Sequence, residues 1–406
     1  MTDGITRRRT LALAGSALAA PFLNTGLARA AYDVGVTDKE IKLGTTATYS
    51  GPVSAIATYG EAQVAYFKMI NDKGGINGRM INLISLDNAF SPPKTVEQTR
   101  KLVEDDNVFA IVGALGTPTN AAVQKYLNDK KAPNLFFTSG SERFNDPKTF
   151  PWIVPLYPSY VAQGMVYGRY LLKMKPSAKI GVLYENDDLG RDYLRGLKQG
   201  LGDKAATMIV AEKPHEITDP TIDNVVIAIQ AAGADTFVQF TNQRYAAQGI
   251  RKAASMNWKP MQIVCSNAAS IATTFVPAGL ENCKGVLSAR WEKAPNDPTF
   301  ANDPGVQDFR KFAAQYMPRY NLDDLNAIPG YNSACATAEV LKRCGNELTR
   351  ENLLKQATSL KDLALPMLLN GVTLSNSSSD YAAFHGMELI QFDGEKFVGQ
   401  GEIIKI

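Results

Sequence analysis

Two short runs of glycine and hydroxyl residues are the parts of this sequence best suited to chemistry, and the chemistry they suit is binding. The first run, residues 113–119 (GALGTPT), follows an apolar stretch. The second run, residues 136–141 (FFTSGS), contains the end of another. Because 113–119 opens a helical pattern, its backbone N–H groups and the Thr117 hydroxyl offer a carboxylate hydrogen-bond donors and the positive end of a helix dipole. Thr117 could instead cap the helix, with Pro118 as its first residue, and 136–141 could be a plain serine-rich turn.

The motifs required by common enzyme chemistry are missing from the sequence. It contains no G-x-S-x-G elbow, no Walker A motif and no G-x-G-x-x-G after the first predicted strand. The run 74–78 (GGING) follows a predicted helix and is typical of a helix C-cap and turn. His215 and His385 are isolated and no C-x-x-C occurs, so neither a metal nor any other cofactor is expected. A secreted α/β enzyme is kept as a rival hypothesis.

Strand and helix patterns alternate along the chain after residue 40. The first part is predicted to form strands at 41–46, 79–86, 108–112 and 134–138 with helices between them, and the alternation repeats in the second part. It predicts parallel sheets covered by helices on both faces. The polar runs then lie at the carboxyl ends of strands, where open α/β sheets bind ligands. The chain is longer than one core usually fills, which predicts two lobes.

Residues 44–78 carry a more specific resemblance. YSGP at 49–52, YG at 59–60, a helix and GGING at 74–78 resemble the opening of the branched-chain amino-acid (Leu/Ile/Val-binding) type of periplasmic substrate-binding protein of ABC importers. The similarity continues, more loosely, to the C-terminus. It implies a type I periplasmic binding protein, an α/β protein with two Rossmann-like lobes and a three-crossing hinge. It also implies a small-molecule ligand, a membrane permease as partner and no catalysis.

The hinge lets the two lobes close around a ligand. The proline-rich segment 151–158, the dipeptide at 290–291 and the serine-rich run 375–379 are predicted to be the three crossings. The predicted lobes are lobe 1, residues 31–155 and 291–372, and lobe 2, residues 156–290 and 373–406.

The resemblance also implies ligand contacts in lobe 1. The family holds the ligand carboxylate at the place of Thr117 and adds backbone and hydroxyl contacts where this chain has Ser139, Gly140 and Ser141. It carries an aromatic side chain at the place of Tyr59. A tyrosine at a helix start could also simply fill the core.

Lobe 2 and the crossings are expected to supply the remaining contacts. Arg244 could clamp a carboxylate, although exposed arginines are common, and Tyr157 and Trp291 could offer ring faces or merely pack well. The predicted ligand-binding residues are Tyr59, Thr117, Ser139, Gly140, Ser141, Tyr157, Arg244, Asn267 and Trp291.

One departure from the family pattern bears on the ligand. Amino-acid binders of the family have an acidic residue near position 267 to pair with the ligand's ammonium group, and this chain has Asn267. Because a buried ammonium without a carboxylate partner is costly, Asn267 favours a small carboxylate that lacks one. Leu189 makes the pocket more apolar, so an apolar or aromatic acid of the benzoate or cinnamate type is favoured. Branched-chain or other amino acids, amides, and a sensor that serves a signalling receptor are the alternatives.

The first thirty residues have the three parts of a secretory signal peptide. A basic segment with paired arginines, an apolar stretch and an A-x-A site ending at Ala30 predict export by the twin-arginine route to the periplasm. These residues hold four arginines and one aspartate, so the rest of a chain with net charge +3 is neutral. A neutral protein suits neither nucleic acid nor an anionic membrane, and we expect a soluble monomer. In an oxidising compartment, up to two disulfides in any of three pairings could join Cys265, Cys283, Cys335 and Cys344.

Overall fold

Two β-sheets, one in each lobe, form the framework of the computed structural model, which describes residues 32–406. The strands of lobe 1 are β1 (Glu40–Ala47), β2 (Met80–Asp87), β3 (Ala110–Val112), β4 (Asn134–Phe137) and β5 (Ile153–Pro155). They form a five-stranded sheet in the order β2-β1-β3-β4-β5. All neighbouring pairs are parallel, as the alternation of strand and helix patterns predicts.

Lobe 2 contains the larger sheet. Its strands are β6 (Ile180–Glu185), β7 (Ile209–His215), β8 (Thr236–Phe240), β9 (Met261–Val264), β10 (Leu287–Arg290), β11 (Gly386–Phe392), β12 (Phe397–Gly399) and β13 (Ile404–Lys405). The order is β12-β11-β10-β9-β8-β6-β7, with β13 also paired to β11. The strands from β6 to β10 are parallel, and β11 is antiparallel to β10, β12 and β13.

Helices connect the parallel strands and pack against the sheets. They are α1 (Thr58–Asp72), α2 (Pro92–Arg100), α3 (Thr117–Asp129), α4 (Tyr160–Met174), α5 (Asp188–Leu201), α6 (Ala205–Met208), α7 (Asp223–Ala231), α8 (Gln243–Ser255), α9 (Val276–Ala278), α10 (Leu280–Cys283), α11 (Pro304–Tyr316), α12 (Ala327–Cys344) and α13 (Arg350–Ala357). The α4 and α5 helices approach so closely that a Cβ added to Gly196 would lie 2.1 Å from the Val161 carbonyl oxygen. This arrangement confirms the predicted α/β class with parallel sheets.

The chain passes between the lobes three times. It leaves lobe 1 after β5, returns after β10 and leaves again before β11. Leu374, Tyr381 and Phe384 belong to the hydrophobic core of lobe 1. The segment 373–384 therefore packs with lobe 1, and the third crossing follows Phe384 instead of residue 372. The serine-rich run expected at this crossing lies within lobe 1 because apolar residues on both sides of it are held in that core.

Aromatic residues from the three crossings meet at the hinge. The Trp291 ring contacts Tyr157 edge to face, with ring centroids 4.7 Å apart, and lies 6.0 Å from the Phe384 ring. Trp291 is 4% exposed and belongs to the lobe 1 core. Aromatic pairs of this geometry stabilise by about 0.5–1.5 kcal/mol beyond area burial, so Trp291 holds the crossings together.

Several other expectations concern single features of the chain. All four cysteines are buried free thiols, so none of the possible disulfide pairings forms among residues 32–406. Within the same residues, no helix is both long enough and apolar enough to cross a bilayer, and no group of three or more acidic, histidine or cysteine side chains is arranged to hold a metal ion. The predicted signal peptide lies outside the described residues.

Candidate ligand-binding site

A cavity of about 240 Å³ lies between the lobes, at the carboxyl ends of the parallel strands. A water molecule needs about 10–15 Å³ by this measure, so the cavity has room for a small organic ligand. Much of its wall is apolar, including Ile56, Phe90, Leu115, Leu189 and Ile328. Five of the nine predicted ligand-binding residues line it, namely Tyr59, Thr117, Tyr157, Asn267 and Trp291.

Thr117 lies in the wall as the first residue of α3. Gly116 is the N-cap of this helix, with a φ of 100° that suits glycine, and the Thr117 hydroxyl makes no capping bond. Instead, Thr117 Oγ1 lies 2.8 Å from Ser139 Oγ and 3.3 Å from the Tyr160 hydroxyl of lobe 2. Pro118 has no N–H group, and the Asn120 N–H already donates to the Gly116 carbonyl oxygen at 3.3 Å, so only the N–H groups of Thr117 and Thr119 are left without a partner in the first turn of the helix. The cavity therefore contains donors suited to an anion.

Tyr59 contributes both to the core and to the wall. The side chain is 1% exposed, and its hydroxyl accepts a hydrogen bond of 2.7 Å from Thr138 Oγ1 at the end of β4. Burial raises the pKa of Tyr59 well above its usual value. The phenol is therefore neutral and fixed in orientation by Thr138.

Three residues that follow β4 were expected to touch the ligand and do not line the cavity. Ser139 is fully buried beneath Thr117. The Ser141 hydroxyl donates instead to Asp192 Oδ2 on α5, at 2.7 Å. At Gly140, a Cβ would come within 2.1 Å of the Pro158 carbonyl oxygen. The expectation of direct contact is corrected here, because these residues turn toward the first crossing and lobe 2 and brace the wall from behind.

A hydrogen-bonded cluster orients Asn267 on the lobe 2 side. Asn267 Oδ1 accepts a bond of 2.9 Å from the Tyr193 hydroxyl. Ser266 Oγ donates to Gln163 Oε1 at 2.6 Å and lies 3.3 Å from the Tyr157 hydroxyl. Because these partners are largely buried, the cluster holds a polar surface in a fixed position against the cavity.

Arg244 does not reach the cavity. Its guanidinium group lies over the Tyr245 ring, 5.3 Å from the centroid, and faces the Pro220 carbonyl on the outer side of lobe 2. The preceding residue, Gln243, lines the cavity and donates to Asn326 Oδ1 of lobe 1 at 2.6 Å. The predicted clamp is corrected because α8 begins at Gln243, so that successive side chains diverge around the helix.

Aromatic rings form a continuous part of the wall. Tyr157 meets Trp291 edge to face, and the Tyr160 ring lies 5.7 Å from Tyr157. Tyr160 also stacks on Tyr193, with centroids 4.8 Å apart and an interplanar angle of 23°. A ligand with an apolar body would contact ring faces and edges here.

Two glutamates in the wall were not identified from the sequence. Glu185 ends β6 and accepts a hydrogen bond of 3.0 Å from Asn242, and Glu292 follows Trp291 at the second crossing. Burial raises the pKa of Glu185 well above its usual value, and the nearby Asp187 charge adds to this. Burial likewise raises the pKa of Glu292 to about 8. Glu185 could have been predicted from its position at the carboxyl end of a strand, and Glu292 from its position next to the hinge tryptophan.

Contacts between the lobes surround the cavity. On one side, Asp192 Oδ2 accepts hydrogen bonds from Ser141 Oγ at 2.7 Å and from the Glu142 backbone N–H at 3.0 Å. Arg143 pairs with Asp188 beside them. The Gln243–Asn326 bond closes the other side. The structure therefore shows the two lobes in contact around the cavity.

The fold and the position of the cavity agree with comparisons to known proteins. The family model described as periplasmic binding protein matches residues 40–396. The chain therefore belongs to the periplasmic binding protein family, whose members are solute-binding proteins. Solved structures of the same fold confirm the predicted type I fold.

Three similar proteins illustrate the relationship. Leu/Ile/Val-binding protein homolog 7 of Brucella abortus is 22% identical over 344 residues, which cover 78% of this chain and 83% of the relative. A branched-chain amino-acid ABC transporter protein of Thermus thermophilus with bound valine superposes with a TM-score of 0.80 at 17% identity, covering 91% of this chain and 98% of that one. An ABC transporter solute-binding protein of R. palustris in complex with benzoate superposes with a TM-score of 0.75 at 17% identity, covering 89% of this chain and 96% of that one.

Proposed function

We propose that this chain is the solute-binding component of an ABC importer, exported to the periplasm by the twin-arginine route, and that it captures a small carboxylate with an apolar body. Membership of the periplasmic binding protein family supports the binding role. The observation that carries the ligand class is Thr117, which lies in the cavity wall at the start of α3. A carboxylate there would accept hydrogen bonds from the Thr117 hydroxyl and backbone N–H and interact favourably with the helix dipole.

The apolar body of the ligand follows from the rest of the wall. Tyr157, Tyr160 and Trp291 offer rings, and Leu189 and Leu115 offer aliphatic surface. Apolar and aromatic acids fit this wall, and the R. palustris protein bound to benzoate shows that the fold accommodates such a ligand.

Amino acids are the second ligand class. The Thermus thermophilus protein of the same fold binds valine. The absence of an acid at Asn267 no longer argues against them, because Glu185 and Glu292 bring carboxyl groups to the cavity from other elements.

Ligand binding would couple the lobes. Thr117 of lobe 1 already contacts Tyr160 of lobe 2, and a ligand between them would add interactions that exist only when the lobes are together. Such a ligand shifts the population toward the closed form by its differential affinity. The closed form would then present both lobes to a membrane permease.

The test is a thermal-shift screen of the protein against benzoate, cinnamate, 4-methylpentanoate and leucine, each beside its methyl ester. A ligand that binds only the folded form raises the melting temperature, and we expect the acids to do so and the esters not to. Thr117→Val, which removes the hydroxyl, should weaken binding by about tenfold. Thr207→Val, at an exposed site outside the cavity, is the matched control. Equal shifts with acids and esters would refute a carboxylate ligand.

A further inference from the structure

The cavity extends well beyond the region around Thr117. Its lobe 2 wall contains residues from six strands that are neighbours in the sheet, or from the loops just after them. These residues are Glu185 on β6, Asn242 after β8, Asn267 after β9, Arg290 on β10, Ile390 on β11 and Phe397 on β12. Because neighbouring strands lie about 4.8 Å apart, the five intervals between six strands make the cavity about 24 Å long.

The carboxylate site at Thr117 lies toward one end of this length. Thr117 contacts Tyr160, and the Tyr160 ring stacks on Tyr193 of α5, the helix that follows β6. Tyr193 stacks in turn on Phe240 of β8, with centroids 5.0 Å apart. Most of the cavity therefore lies on the far side of the hinge ring Trp291, beside β10, β11 and β12.

The volume of the cavity indicates how wide this space is. At about 10–15 Å³ for each water molecule, 240 Å³ corresponds to about 16–24 water positions, roughly twice the number of non-hydrogen atoms in leucine or benzoate. Spread over about 24 Å, the same volume gives a mean cross-section of about 10 Å² for the centres of the atoms that fill it. The space is therefore a narrow channel that suits an unbranched chain.

The wall of the channel beyond Trp291 has a largely apolar lining. Ile390 and Phe397 are only 2% and 5% exposed, and they belong to the hydrophobic core of lobe 2. Ile271 of lobe 2 and Leu322 of lobe 1 line the same part of the cavity. A leucine or benzoate molecule held at Thr117 is too short to cover this apolar surface.

The charged groups beside this part of the channel are paired or neutral at pH 7. Arg290 bonds to Glu388 at 2.8 Å, and Lys293 pairs with Asp303 at 2.8 Å. Burial raises the pKa of Glu292 to about 8, so its carboxyl group is mostly protonated at pH 7. An apolar chain can therefore pass these residues without leaving an unpaired charge beside it.

The far end of the channel reaches the protein surface. Asn296 and Glu395 line the cavity there and are exposed, and Lys396 is partly exposed. A chain longer than the channel would therefore extend into water instead of meeting a closed wall.

We propose that the cavity binds an unbranched aliphatic carboxylate with a chain of octanoate length or longer. Its carboxylate lies at Thr117, and its chain follows the channel past Trp291 toward Phe397. Removal of the chain from water supplies most of the affinity, because apolar area buried from water is the main favourable contribution to such binding. This inference rests on the proposed function, because the head group is the carboxylate that binds at Thr117.

The test measures binding to the ligand-free protein by calorimetry at pH 7. The ligands are hexanoate, octanoate, decanoate and dodecanoate, each beside the alcohol of the same chain length, with benzoate as the short acid. Leu322→Trp places a larger side chain in the outer channel, and Leu322→Ala removes apolar surface there. Leu322 is partly exposed, so both variants should fold. Leu280 is 36% exposed and lies outside the cavity, so Leu280→Trp and Leu280→Ala are the matched controls.

We expect the affinity of wild type for the acids to rise about threefold for each added methylene group, and by about a hundredfold or more from hexanoate to dodecanoate. Each alcohol should bind about tenfold or more weakly than its acid, because it lacks the charged acceptor. Leu322→Trp should weaken dodecanoate by about 30-fold or more, Leu322→Ala should weaken it by about threefold, and both should leave hexanoate unchanged. The Leu280 variants should behave as wild type.

The contrary outcomes separate the two proposals. If benzoate binds and the chain acids do not, if affinity does not rise with chain length, or if Leu322→Trp weakens hexanoate and dodecanoate equally, the elongated ligand is refuted and the carboxylate at Thr117 stands. If acids and alcohols of each length bind equally, the carboxylate is refuted even where affinity rises with chain length. If no acid and no alcohol binds, both proposals are refuted.

Discussion

Replacing Glu292 by glutamine should stabilise the ligand-free protein by an amount that depends on pH. Burial raises the pKa of this residue from 4.5 to about 8, and the hydrogen bond from Asn332 offsets only part of the effect. Below pH 4.5 the carboxyl group is protonated in the folded and the unfolded chain, so it imposes no cost. Between pH 4.5 and 8 the folded chain retains a proton that the unfolded chain has lost, and stability falls as pH rises.

The size of this penalty follows from the width of the pH window. Each pH unit between 4.5 and 8 lowers the free energy of unfolding by about 1.4 kcal/mol. The upper limit of the loss is therefore about 3 kcal/mol at pH 7 and about 5 kcal/mol above pH 8. Contact with cavity water reduces these values. Glutamine has nearly the same shape, keeps an oxygen for Asn332 and cannot ionise. We therefore expect Glu292→Gln to raise the free energy of unfolding by about 1–3 kcal/mol at pH 7.

The assay is urea unfolding of ligand-free wild type, Glu292→Gln and Glu339→Gln at pH 5, 7 and 8.5. The stabilisation by Glu292→Gln should be small at pH 5 and increase at each higher pH. Glu339→Gln removes a partly exposed ion pair with Arg343 on α12 and should change stability by less than about 1 kcal/mol at every pH. A difference between wild type and Glu292→Gln that is constant across this range, or absent, would refute the reasoning. A variant that is more stable and binds less well would instead show that the wild-type carboxyl group is retained for binding.

Three further predictions concern packing, lobe contacts and thiols. Gly196→Ala should lower the melting temperature and reduce the free energy of unfolding by about 1–3 kcal/mol or more, because the new Cβ would lie 2.1 Å from the Val161 carbonyl oxygen. Asp192→Asn weakens the acceptor of the Ser141 hydroxyl and should make the contact between the lobes less favourable by about 1–3 kcal/mol. Small-angle scattering should therefore show a more open ligand-free protein, and an unchanged scattering profile would contradict this. The four buried cysteines should react with a thiol reagent only after denaturation, with four thiols per chain; fewer would indicate a disulfide.

Elements with strong local signals were predicted close to their observed bounds. The helix expected after GALGT begins at Thr117, because a glycine with positive φ precedes it and proline occupies its first turn. The first strand, predicted at 41–46, extends over Glu40–Ala47. By contrast, β5 has only three residues, ends at Pro155 and lies within the proline-rich segment that was predicted to be a crossing. Such a short strand has no periodicity of its own, and its pairing with β4 creates it.

The sequence by itself determined the family, the two α/β lobes and the strand ends at which the cavity lies, because these depend on local patterns of apolar residues, glycines and helix starts. Only the tertiary structure decided which side chains face the cavity. Ser141 turns away because Asp192 of the other lobe accepts its hydroxyl, and Glu292 is held in the wall by Asn332 on a helix forty residues later. Side-chain direction and burial depend on contacts between distant segments, and no local pattern specifies those contacts.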